Sequence, residues 1–252
     1  MKSFKQFILE QDLSNLSAKK AAEMIVRECS YYLKEVDFSC DPDNMSAMFR
    51  GISGNIWTPG SARLVKHQAR SDREPMSTPY RVHAVLDAFF EDHFGFPYRG
   101  KGTFSVGYPA TAHGYGQVNL IFPIGKFNYV WSKDIEDAFN SFGSNRPEAQ
   151  EQIVDFAERR GMGFEEGELD EIPKSHHWAD AVELYLHGHS DLYQDTELSA
   201  AAKYPYNTHE VVLNCQEYYA VPYAYPSSSP AAKDADLQLF VEEMLDEIKD
   251  LM

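Results

Sequence analysis

One arginine stands inside an otherwise apolar run. In SAMFRGIS, residues 46–53, the residue types predict a buried strand, and its single charge, Arg50, needs a partner to offset desolvation. A buried carboxylate is one such partner. Ser105 in GTFSVGY and Glu210 in THEVVL fall in two more strand-like segments. Taken singly, they read as a strand hydroxyl and a strand-edge charge. Glu217 in CQEYYAV is a second candidate acid, placed by its position in the interior of the same strand as Glu210. A local basic island, Arg63, Lys66, Arg70, Arg73 and Arg81, interrupts an acidic chain. Within it, Arg70 and Arg73 of RSDREP could clamp a pyrophosphate or an acidic target, or simply pair with Asp72 and Glu74. His176, His177, His187 and His189 include a His-x-His spacing that suits zinc. Helix register argues against one shared ion, because positions 176 and 187 lie about 16 Å apart along a helix. The sequence therefore predicts no metal site. No Walker loop, Gly-x-Ser-x-Gly elbow or catalytic cysteine motif is present.

The elements that must carry these residues follow from periodicity. Ser14 or Ser17 can cap a first helix with Ala21, Ile25, Cys29, Tyr32, Leu33 and Val36 on one face. The stretch 54–79 reads as loop, after which Thr78 caps a helix starting at Pro79, with Val82, Val85, Leu86 and Phe89 inward. GTFSVGY, QVNLIFPI and KFNYVWS predict three neighbouring strands of a small antiparallel sheet, with a turn at Gly125 between the last two. Residues 134–200 are mostly helical in pattern. HEVVLNCQEYYAVPY predicts one long strand rich in Val and Tyr, and residues 222–233 a linker. A terminal acidic helix over 234–252 carries Leu237, Phe240, Val241, Met244, Ile248 and Leu251 on one face. That stripe suits either the chain's own core or another subunit.

Arginine in an early strand, serine in a middle strand and glutamate at the start of a late one resembles the arginine, serine, glutamate signature of ADP-ribosyltransferases. The resemblance covers roughly residues 45–222. It implies an α+β fold with a split, mostly antiparallel core and flanking helices. It also implies NAD as the substrate. Arg50, in MFRGI, would hold the phosphates through its planar fork. Thr103, Phe104 and Ser105 match part of the family's Ser-Thr-Ser strand and would position the ribose and the glutamate. Glu210 would stabilise the oxocarbenium-like charge as nicotinamide departs. The turn YPATAHGYG would set Tyr108, His113 and Tyr115 beside the nicotinamide. Where the arginine-modifying branch has a second glutamate, this chain has Thr208, which leaves the acceptor open between a protein and water.

MKSFKQFILE resembles the capsid-targeting leaders of internal head proteins in large tailed bacteriophages, which end in a short aliphatic-x-Glu motif. Ile8, Leu9 and Glu10 match it. The resemblance implies a cut by the prohead protease after Glu10. It also implies packaging inside the virion and delivery to the host cytoplasm, where the chain would meet a host protein target.

Composition is compatible with that reading. With 23 basic and 39 acidic residues, net −16, the 252-residue chain would repel a phosphate backbone, which argues against tight non-specific nucleic-acid binding. Three scattered cysteines make no disulfide framework. No apolar run approaches bilayer length. The expectation is a phage-delivered ADP-ribosyltransferase or NAD glycohydrolase: one domain over 11–252 after the leader. The alternative is a non-catalytic internal head or host-interaction protein that keeps only the fold.

Overall fold

The computed structural model describes residues 13, 16–41, 44–53, 58, 61–70, 78–143, 147–164, 176–203, 208–227 and 229–252, without the side chains of 147–149 and 176. The proposed leader, its cleavage point at Glu10, the alternative cap Ser14 and Arg73 all lie outside these residues.

The protein is α+β, with a seven-stranded antiparallel sheet flanked by helices. The strands are β1 (Met48–Ile52), β2 (Val65–Gln68), β3 (Thr103–Val106), β4 (Gln117–Pro123), β5 (Asn128–Trp131), β6 (Glu210–Asn214) and β7 (Glu217–Pro222). Their order is β2-β7-β4-β1-β3-β6-β5. At the middle of the sheet β1 and β3 share only the pair Phe49–Val106, whereas β1–β4 and β3–β6 run in register along their lengths. The sheet thus consists of two well-paired halves, β2-β7-β4-β1 and β3-β6-β5, meeting along a narrow seam.

Three strand expectations change. HEVVLNCQEYYAVPY is two strands, β6 and β7, broken at Cys215 and Gln216. They cannot continue as one, because β6 satisfies its backbone against β3 and β5 in one half and β7 against β4 and β2 in the other. Glu217 therefore begins a strand and pairs with Lys66 at 2.8 Å. Next, β4 and β5 do not pair with each other despite the Gly125 turn. β4 is central, held between β1 and β7, which explains why its run VNLIFP is buried on both faces. β5 is an edge strand against β6. Finally, the stretch read as loop contains β2, an edge strand whose residues are half-buried or exposed and so too weakly patterned to be recognised.

The first helix is divided into α1 (Ala18–Glu28) and α2 (Ser30–Glu35) at Cys29, and Ser17 caps α1 by accepting from the Lys20 amide. Helix α3 (Tyr80–Phe94) is capped by Pro79 without a side-chain bond, so Thr78 is not the cap; it is buried instead. A short α4 (Tyr98–Lys101) leads into β3, and α5 (Pro109–His113) follows it. A π-helical turn, Phe139–Gly143, precedes α6 (Pro147–Arg159) and α7 (His176–Gly188), and α8 (Leu198–Ala202) returns the chain toward the sheet. The 222–233 stretch is partly structured, Pro222 ending β7 and Ala231–Lys233 forming a 3-10 turn. Helix α9 (Ala235–Leu251) packs against α1. Leu237, Phe240, Val241, Met244 and Ile248 are buried there, so the apolar stripe serves the chain's own core, and only Leu251 of the predicted set is exposed.

Two apolar clusters hold the layers together. One joins α1, α2 and α9 to β4, β7 and one face of the β5–β6 pair. The other joins α3, α6 and α7 to the opposite face, through Val130 and Val212. No described helix is long and apolar enough to cross a membrane.

Candidate functional site

The three strands carrying Arg50, Ser105 and Glu210 are consecutive neighbours, β1-β3-β6. Arg50 is half-buried on β1, opposite Asn119 of β4. Its Nη1 donates to the Phe104 carbonyl across the seam at 2.6 Å. Arg50 forms no ion pair among the described residues.

Alternation along the ladders decides which side chains can meet. Phe49 pairs with Val106, so Arg50 and Ser105, one position from each, leave the other face together. Thr103 shares that face. Ser105 is buried and its hydroxyl donates to the Val211 carbonyl at 3.1 Å. Glu210 pairs with Val106, and its side chain leaves the face opposite to Ser105. The sheet thus brings Arg50, Thr103 and Ser105 to one side and Glu210 to the other.

Two residues that sequence reasoning passed over complete the Arg50 side. His67 of β2 stacks on Tyr218, with ring centroids 5.2 Å apart. Burial pushes its imidazole below the ordinary range, and the Arg50 charge adds to the effect. Cys215, at the corner between β6 and β7, has its thiol pushed up to about 11 by burial, against opposing effects from Thr103 and Arg50. No motif flagged either residue, since the pairing of β2 with β7 brings His67 to the Arg50 side and the pairing of β3 with β6 brings Cys215 there.

On the Glu210 side, Arg99 of α4 donates through Nη1 to Glu210 Oε1 at 2.5 Å, with the arginine side chain 9% exposed. Burial alone would lower the Arg99 value, yet it is raised, chiefly by Glu210. The guanidinium also lies 4.6 Å from the Phe104 ring centroid. The Tyr115 hydroxyl donates to Asp137 Oδ2 at 2.9 Å, and the Glu210 amide donates to the Glu136 carbonyl at 2.8 Å. These bonds draw the turn after β3 and the segment after β5 to the start of β6. Tyr115 is 60% exposed as a residue, but its hydroxyl end is sheltered enough that burial, then Asp137, raises its value. Tyr193 is buried beside Glu210, Arg99 and Asp137, and its value is raised by burial first and Glu210 second.

Of the remaining predicted residues, Tyr108 precedes α5 at its N-terminal end, and His113 ends that helix with its ring edge-on to Tyr225, centroids 6.1 Å apart. Tyr115 is the residue of that turn whose hydroxyl bonds Asp137 in the Glu210 group. Arg70 is exposed just beyond β2. His187 lies 4.0 Å from Glu183, and His189 Nδ1 is 2.9 Å from the Tyr185 carbonyl. Among the described residues, no group of three or more His, Cys, Asp or Glu is placed to hold a metal ion. An open groove of about 530 Å³ lined by Lys126, Asn128, Asn214 and Gln216 lies at the far end of β6 from Glu210 and includes none of the predicted residues.

Set against known protein families, curated proteins and solved structures, the chain matches none of them.

Proposed function

We propose that this chain cleaves the nicotinamide glycosidic bond of NAD and transfers ADP-ribose to a host protein or to water. The observation that carries this reading is the adjacency of β1, β3 and β6, which gathers Arg50, Ser105 and Glu210, spread over 160 positions of sequence, onto three neighbouring strands. Arg50 fits the phosphate role because it is a half-buried guanidinium without a carboxylate partner among the described residues, an arrangement that favours an anion. Ser105 and Thr103 line the same side as Arg50. Glu210 opposes the charge that grows on the ribose as the bond between C1′ and the pyridinium nitrogen breaks and nicotinamide leaves neutral with the bonding pair. The acceptor oxygen or nitrogen then bonds to C1′ and releases its proton. Delivery from a phage head rests on the MKSFKQFILE leader alone.

A second reading, a non-catalytic host-interaction protein, draws on one observation: Ser105 and Glu210 leave opposite faces of the β3–β6 ladder. Labelled NAD incubated with the purified chain and host lysate separates the two. Nicotinamide release or labelled protein, lost in a folded Glu210→Gln variant, is the expected result. Neither product from the wild type would leave the non-catalytic reading standing.

A further inference from the structure

In the resemblance on which the proposed function rests, a strand serine orients the catalytic glutamate. Here Ser105 is turned to the opposite face and bonded to Val211, so that task falls to another group. Arg99 occupies the place. Its position is built from three sides. The amides of Arg99 and Gly100 donate to Asp87 Oδ1 at 2.7 and 3.0 Å, tying α4 to α3. Gly102, between α4 and β3, lies so close to β6 that a Cβ there would stand 2.2 Å from Val212 Cγ1. The Phe104 ring backs the guanidinium, and Nη1 meets Glu210 Oε1.

Two polar atoms in this group have no hydrogen-bond partner among the described residues. Arg99 Nε and the Tyr193 hydroxyl are both buried, in residues each 8% exposed. Leaving buried donors unpaired is costly, and such atoms beside a candidate catalytic carboxylate are the mark of a site completed by something that enters it. A ribose hydroxyl is the group the proposed reaction would bring there.

We propose that Arg99 is the positioning residue for Glu210, and that Tyr193 joins it by bonding the substrate hydroxyl that Glu210 receives. The inference deepens the NAD-cleaving reading and depends on it. A merely structural ion pair would hold α4 against β6 and nothing more. A positioning pair acts on the rate of bond cleavage while leaving substrate affinity in place.

The test is nicotinamide release by the purified full chain, with kcat and the NAD KM measured for Arg99→Lys, Arg99→Met, Tyr193→Phe and Ser105→Ala. Arg99→Met is expected to lower kcat by about 100-fold or more with KM changed less than about threefold, the scale for removing one preorganised donor. Arg99→Lys keeps the charge without the fork and recovers part of that loss. Tyr193→Phe removes a hydroxyl with no partner among the described residues, so its melting temperature does not fall while kcat falls about 10-fold. Ser105→Ala acts on KM rather than kcat. If Arg99→Met fails to fold, Tyr193→Phe and Arg99→Lys decide the matter. Wild-type kcat in both of these, or a kcat loss in Ser105→Ala as large as theirs, overturns the assignment while the NAD reading stands. A folded wild-type chain that releases no nicotinamide overturns both.

Discussion

Arg50 on β1 donates to the carbonyl of Phe104 on β3, so the guanidinium bridges the one place where the sheet is held by a single register pair. That bond uses one of five donors. The remainder meet no acceptor among the described residues and suit an anion. Arg50→Ala is expected to raise the NAD KM about 10-fold to 100-fold, the scale of one or two charge-assisted bonds, and Arg50→Lys to recover only part. Initial-rate kinetics check it, and an unchanged KM in a folded variant would take Arg50 out of the ligand site.

The Tyr32 hydroxyl accepts the Met48 amide of β1 at 2.8 Å, in a fully buried position. Tyr32→Phe leaves that amide unpaired between α2 and the sheet. A loss of about 1–3 kcal/mol is expected, read as a lower denaturant midpoint with unchanged slope.

His67 carries a pH dependence of definite sign. Its folded imidazole value is depressed, by burial and then Arg50, so the unfolded chain binds the proton more readily. The stability it contributes is present above the ordinary imidazole range and is lost as pH falls through that range toward the folded value. Wild type and His67→Gln should therefore differ most in the slope of melting temperature between about pH 7.5 and pH 5, with the variant the flatter of the two. Equal slopes would remove His67 from the account.

Gly51 closes β1 against the turn that carries Tyr115. A Cβ there would sit 2.1 Å from the Ala112 carbonyl oxygen and 2.8 Å from Tyr115 Cβ. Gly51→Ala is expected to cost about 1–3 kcal/mol and to displace that turn, whereas Gly163→Ala, with open space around it, should change stability by less than about 0.5 kcal/mol. Thermal melts of the two variants side by side make the comparison.

The helices were legible because their faces are periodic: Ala21, Ile25, Tyr32 and Leu33 in the first pair and Leu237, Phe240, Met244 and Ile248 in the last are buried as spaced. Strands β1 and β3 were legible from MFRGI and TFSV. Pairing was not, because an apolar run such as VNLIFP states that it is buried without stating between which neighbours. The break at Cys215 was hidden by continuous strand-forming residues on both sides. Within the site, Arg50, Ser105 and Glu210 were visible as types in sequence, and the sheet sets their strands side by side. Arg99 was invisible because its contact with Glu210 spans 111 positions, and FPYRGKG offers nothing but glycines and charge.

The sheet's connectivity bears on how the chain reaches this structure. Of its six strand pairings, β5–β6 alone joins strands consecutive in sequence, and α6, α7 and α8 lie between even those two. Among the described residues no two of these strands form a hairpin that could nucleate the ladder, so each pairing must close a long loop before it gains a bond. Folding is expected to be slow for a chain of this size. Until β1 and β7 arrive, the two open edges of β4 leave an apolar segment exposed to other chains, and so the yield of native protein should fall with concentration during refolding well before any loss of native stability is seen.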